Sequence, residues 1–238
     1  MAPLSGRYIA WRSPPAARRL RHAFTLVELL SVIAISGILI ALGALSISRS
    51  LQKAQDLRCL ERLRSLGSGI RLYSQDNEAN FPRSIHTGGE WGISIVPYLG
   101  YSGNLSEDES LALFNTAFRC PAHKSTNAYV WSYGINVFFE LGSGDGYEGK
   151  PATWHKLINI ERPGKTILLG ELKGSSGLDH FMCHQWASTS TAKSAVAWDR
   201  HAKKSNYLFV DGHVEALPVE ATFNPGAGLN LWNPSLAR

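Results

Sequence analysis

Cysteine, proline and charge are each missing from stretches where their absence is informative. The 238 residues include three cysteines, too few for a disulfide scaffold, and the odd count leaves at least one thiol unpaired within a monomer. No proline lies between Phe24 and Pro82, so nothing of that kind interrupts a helix there. Residues 1–23 contain no acid, and residues 29–48 contain no charge of either sign. The chain has no Gly-x-Ser-x-Gly turn and no phosphate-binding glycine loop, motifs that would point to hydrolase or nucleotide chemistry. No repeat of solenoid period is visible, which argues against a stacked-repeat fold.

What is present begins with charge. Lys and Arg number 24 against 19 Asp and Glu, a formal net charge of +5. Taken whole, that excess suggests nucleic acid or an anionic membrane as partner. Its distribution says otherwise. Arg7, Arg12, Arg18, Arg19 and Arg21 supply all of it, and residues 24–238 balance at 19 of each sign. No nucleic-acid partner is expected for a chain that has lost residues 1–23. Within the remainder, residues 49–72 carry six bases and two acids, while residues 73–238 carry 13 bases and 16 acids.

The 20 residues 29–48 are long enough, at about 1.5 Å rise per residue, to span the roughly 30 Å hydrocarbon layer as a helix. They exceed the 7–15 apolar residues usual in a secretory signal. Glu28 stands at the edge of this run. A carboxylate at mid-bilayer costs about 2.5–3.5 kcal/mol on insertion scales, and less near an interface. It either sits solvated at the headgroup level or needs a partner. A cut between Ala23 and Phe24 would supply one, a new α-amine four residues before Glu28 on the same helical face.

The segment Arg21-His22-Ala23-Phe24-Thr25-Leu26-Val27-Glu28 resembles the leader junction of type IV prepilins and type II secretion pseudopilins. That family usually has Gly where this chain has Ala23. The resemblance implies cleavage after Ala23 by a prepilin peptidase, N-methylation of Phe24, and a Glu28 that neutralises the terminal amine of an adjacent subunit during assembly. Lys and Arg flank the apolar run in equal number, five on each side, so the positive-inside rule sets no orientation. The resemblance places the leader in the cytoplasm of a bacterial cell and the C-terminal domain outside the inner membrane.

Two further stretches look like a planctomycete and verrucomicrobial pseudopilin-like group. One runs from Cys59 through Tyr73, Asp76 and Asn77 to Phe81-Pro82, with Glu61-Arg62 where that group often has Ser-Asn. The other is His201, nine residues, then Asp211-Gly212, similar to its H-X9-DG signature. Ser132-Tyr133-Gly134-Ile135-Asn136 and the segment from Arg162 to Glu171 also resemble its recurrent blocks. The implied fold is α+β and pilin-like, a long N-terminal helix packed under an antiparallel sheet. The implied partners are the peptidase, other pseudopilin subunits, an inner-membrane assembly platform and the lipid bilayer.

Apolar residues continue at helical spacing from Leu51 through Leu57, Leu60, Leu63, Leu66 and Ile70 to Tyr73, predicting one helix from about 25 to about 74. Gly67 and Gly69 weaken its last turns by about 1 kcal/mol each relative to Ala. The expected organisation is a leader (1–23), a transmembrane helix (24–48), its amphipathic continuation (49–75), a globular domain (76–217) and an irregular tail (218–238). Ser106 with Glu109 reads as a capping box opening a helix through Phe118. Residues 128–141 and 166–169 read as strands, and 206–217 as a hairpin with a two-residue turn at Asp211-Gly212.

The chemistry that could be present is sparse, and neither a catalytic residue nor a cofactor is expected. His180, Cys183 and His184 would share a helical face and suit zinc, although buried or surface histidines are the simpler reading. His201 could pair with Asp211 as acid and base, or more simply fix the hairpin. Asp145 with Glu148, or Asp76 with Glu78, could hold calcium in an acidic loop, yet neither matches an EF-hand. Cys120 and Cys183 could form a disulfide in an oxidising compartment, leaving Cys59 free. Three functional readings follow: a filament subunit, a monomeric membrane-anchored binding module using exposed tryptophans such as Trp91 or Trp154, and a secreted metal enzyme cut near residue 44.

Overall fold

The computed structural model describes residues 24–102, 104–125, 127, 129–142, 144, 145, 147, 151–174 and 177–238. Ala23, Glu148 and the segment 1–23 lie outside them. The chain divides into two compact units, one ending at Arg49 and one comprising Ser50–Arg238.

One helix, α1 (Leu26–Asp76), runs through both units. In the first unit, Leu26–Gly43 is long and apolar enough to cross a membrane. Within the second unit, Cys59, Leu63, Leu66 and Ile70 are fully buried, a spacing of three and four that marks one face. Leu51 and Leu57, expected on that face, are exposed. Gly67 has a positive role in this packing, since a Cβ there would sit 2.8 Å from Leu208 Cδ1. The glycine admits the sheet to the helix.

Short helices follow, α2 (Trp91–Ser94) and α3 (Glu107–Thr116). The capping box of α3 is formed: Glu109 N–H donates to Ser106 Oγ at 3.3 Å, and Ser106 N–H to Glu109 Oε2 at 2.8 Å. Trp91 is fully buried against Phe118 and Trp131, and Trp154 packs on Phe138. Neither is the exposed platform a binding module would use.

The sheet contains β1 (Tyr133–Asn136), β2 (Ile167–Glu171), β3 (His180–Phe181), β4 (Ser205–Phe209) and β5 (Val214–Leu217), in the order β3-β1-β2-β4-β5. It is mixed, not wholly antiparallel. After β2 the chain passes to the outer edge of β1, where β3 pairs in parallel through Ile135↔His180 and Asn136↔Phe181. A two-residue strand carries no alternation by which to foresee this. The strand expected over 128–141 is confined to β1, because Asn136 Oδ1 accepts from the Phe138 N–H and opens a 3-10 turn. A short helix, α4 (Thr189–Ala195), connects β3 to β4.

The β4–β5 hairpin has a three-residue loop. Phe209 N–H bonds to His213 O, leaving Val210, Asp211 and Gly212 outside the ladder. Gly212 adopts φ +96°, the positive-φ position of a three-residue hairpin loop.

β1, β2 and β4 are buried along their whole length, as expected when both faces of a sheet are covered. Leu208 faces α1. Gly170 faces Trp232, whose ring lies 2.8 Å from where a Cβ would stand. The tail beyond Pro218 is therefore packed where irregular structure was expected. It forms β6 (Phe223–Asn224) and β7 (Leu229–Asn230) and buries Trp232 completely. A large apolar ring in a Pro- and Gly-rich stretch outweighed the local turn signals.

Candidate functional site

At the start of α1, Thr25 and Glu28 close a second reciprocal cap. Thr25 N–H and its hydroxyl each donate to Glu28 Oε2 at 2.8 Å, and Glu28 N–H donates to Thr25 Oγ1 at 3.3 Å. Thr25-x-x-Glu28 is the capping-box pattern, and it is present in the sequence itself. It satisfies two of the N–H groups that a helix start leaves unpaired. Phe24 precedes the helix and is exposed. The Phe24 nitrogen is a backbone amide in this chain, and the Glu28 carboxylate takes Thr25 as its partner.

Residues 18–44 match the prokaryotic N-terminal methylation motif. The match covers Ala23, Phe24 and Glu28 together with the candidate membrane span Leu26–Gly43. No curated protein and no solved structure matches the chain. The motif supports a pilin- or pseudopilin-type subunit anchored in a membrane.

The second unit contains a buried polar cluster centred on His201. Its Nδ1 lies 2.6 Å from Asp56 Oδ1 on α1, and its Nε2 lies 2.9 Å from Glu171 Oε1 on β2. Glu171 is fully buried. Its other oxygen accepts from Asn206 N–H at 2.8 Å and Ser205 Oγ at 3.3 Å. The Arg200 guanidinium lies 3.8 Å away. Burial opposes protonation of His201, yet the hydrogen bonds and charges of Glu171 and Asp56 carry its pKa above the ordinary value. His201 is held by a tight turn in which His201 and Lys204 exchange backbone hydrogen bonds at 3.1 and 3.0 Å. The turn places Ala202 and Lys203 at φ +51° and +66°, a conformation that side chains disfavour. Nothing in Ala-Lys signals such a turn.

His201 therefore does not meet Asp211. The Asp211 carboxylate instead accepts from His213 N–H at 3.0 Å and pairs with His213 Nδ1 at 2.6 Å, while Arg71 of α1 donates to the Asp211 carbonyl. The nine-residue spacing spans strand β4, which puts its two ends far apart along the sheet. The Asp211 carbonyl ties the hairpin loop to α1.

The disulfide joins Cys59 and Cys120, with Cα atoms 5.1 Å apart. Cys183 is the free thiol. The pairing of Cys120 with Cys183 that the sequence leaves open does not form, because Cys59 lies on the face of α1 that turns inward. Cys183 is buried and donates to Asn136 Oδ1 at 3.0 Å, and burial pushes its thiol far up.

The expected zinc trio does not form one helical face. His180 is in β3, paired with Asp179 at 2.9 Å, whereas Cys183 and His184 lie in a 3-10 turn. In the acidic loops, Asp145 Oδ2 accepts from Gly142 N–H and Oδ1 pairs with His86 Nε2 at 2.8 Å. Glu78 lies 3.6 Å from Lys156. Both loop acids already have cationic or N–H partners.

Proposed function

We propose that the chain is a structural pilin- or pseudopilin-type subunit. A prepilin peptidase cuts it after Ala23, Phe24 is N-methylated, and α1 polymerises it into a filament of a type II secretion or type IV pilus-like system. The observation that carries this reading is the methylation motif at residues 18–44, which runs into a helix with the candidate span Leu26–Gly43. The leader lies in the cytoplasm, and the second unit lies on the extracytoplasmic side of the inner membrane. No enzymatic step is assigned.

Glu28 has two successive partners in this scheme. Before the cut it caps its own helix through Thr25. After the cut, the new amine of an adjacent Phe24 offers a full positive charge, a stronger partner for a carboxylate near hydrocarbon than two neutral donors. Glu28→Ala should therefore be cut normally yet fail to enter filaments. Crosslinking in membranes and recovery of sheared filaments would measure this. Incorporation of Glu28→Ala at the wild-type level would contradict the reading, and a wild-type chain that is strictly monomeric on crosslinking would favour a membrane-anchored module.

A further inference from the structure

Among the described residues, one group of potential metal donors converges: Cys59, Cys120, Glu171 and His201, whose ligand atoms all lie within 4.8 Å of one another. All four are buried. They come from separate places in the fold, with Cys59 on α1, Cys120 after α3, Glu171 on β2 and His201 before β4. We propose that this quartet is a redox-gated zinc site, closed by the Cys59–Cys120 disulfide when oxidised and able to bind one zinc ion when reduced.

Four kinds of observation support it. The first is composition: two thiolates, one imidazole and one carboxylate suit a borderline-soft ion of tetrahedral preference. The second is spacing. Zinc bonds of about 2.3 Å to sulfur and 2.0–2.1 Å to nitrogen imply tetrahedral S···N edges of about 3.5 Å. Cys120 Sγ and His201 Nε2 are 3.5 Å apart. The His201 Nε2···Glu171 Oε1 hydrogen bond, 2.9 Å, would open by about half an ångström, and the sulfurs would separate to an edge of about 3.8 Å.

The third is the surrounding hydrogen bonding. A metal-bound histidine normally donates its second ring nitrogen to a carboxylate, which fixes the ring. Asp56 Oδ1 already accepts such a bond from His201 Nδ1–H, leaving Nε2 toward the sulfurs. Ser205 and Asn206 hold the distal oxygen of Glu171, so Oε1 is the one presented. The fourth is charge. Zinc with two thiolates and one carboxylate carries a net charge of −1, and Arg200 beside Glu171 offsets it.

The chemistry balances. A dithiol reductant gives two electrons and two protons to the disulfide, yielding two cysteine thiols and its own disulfide. Zinc then displaces both thiol protons and the Nε2 proton of the His201 imidazolium, three in all. In the oxidised state a covalent bond ties α1 to the segment after α3, and in the reduced state a bound zinc would join both of these to Glu171 on β2 and to His201 before β4.

The test uses the full chain in detergent, without oxygen, reduced with a phosphine and titrated with cobalt(II) and then zinc(II). The reduced chain should take up one cobalt per molecule with a thiolate-to-cobalt charge-transfer band, which zinc abolishes. The oxidised chain should show no band. Glu171→Gln and His201→Ala should weaken binding at least tenfold, and Asp56→Asn about 10–100-fold. Cys183→Ser and His180→Ala should bind as wild type. Alkylation followed by mass measurement should find two thiols protected by zinc, in a folded or a partly unfolded reduced chain alike. A reduced chain with no charge-transfer band and no zinc-protected thiols would overturn the assignment. So would a band that survives loss of Cys59 and Cys120, or one that is lost with Cys183.

Discussion

His123 is half-buried, with Nδ1 2.5 Å from Ser132 Oγ and with Arg200 and Arg119 nearby. Burial, and then the two like charges, pull its pKa down to about 4. The sign follows from linkage. A group with a depressed folded pKa favours the folded state above its unfolded value of about 6.5. That contribution is lost as pH falls through about 4. The ring should titrate near pH 4 by NMR, and stability should decline on acidification from about 6.5. A His123 midpoint at or above 6.5 would contradict this environment. The disulfide makes a separate prediction. It closes a loop of 61 residues, for which chain entropy gives about 4 kcal/mol. Cys59→Ser should therefore lower the unfolding free energy by about 2–5 kcal/mol in denaturant titrations without metal. Thiol labelling of the unreduced, unfolded wild type should modify Cys183 alone.

Among the elements, the contact between the sheet and the tail is the most informative. Trp232→Ala removes a fully buried ring and should cost about 3–5 kcal/mol. Gly170→Ala should cost about 1–3 kcal/mol through overpacking, since the rigid Trp232 ring must shift. Unchanged thermal midpoints in both variants would contradict the packing. This contact also shows where sequence reading stops. α1, the α3 capping box and the β4–β5 hairpin were legible because each depends on local pattern: helical periodicity, Ser-x-x-Glu, or Asp-Gly between apolar runs. The burial of the tail depends on one ring meeting a glycine 62 positions earlier in the chain, and no local pattern encodes that. The partner of His201 was illegible for the same reason. Asp56 and Glu171 come to it only once α1, β2 and the turn at Ala202 are in place. Cys59 lies on the same buried stripe as Leu63 and Leu66, a placement that a helical face read through leucines alone does not reveal.

At the scale of the whole molecule, charge is unevenly distributed along the chain. The excess of five positive charges resides in residues 1–23, the part removed under the proposed processing. The remaining chain is a long apolar helix, a basic stretch over residues 49–72 and a slightly acidic globular unit. A basic stretch next to a membrane span suits anionic headgroups. The apolar side chains from Leu26 to Leu39 are exposed in the single chain, which lipid or neighbouring helices would cover. The central claim is that this chain is processed and assembled as a pilin-type subunit. The most direct test is the N-terminal mass of the protein extracted from membranes. The account predicts a chain beginning at Phe24 with one methyl group on its amine. A chain beginning at Met1, or near residue 44, would contradict it.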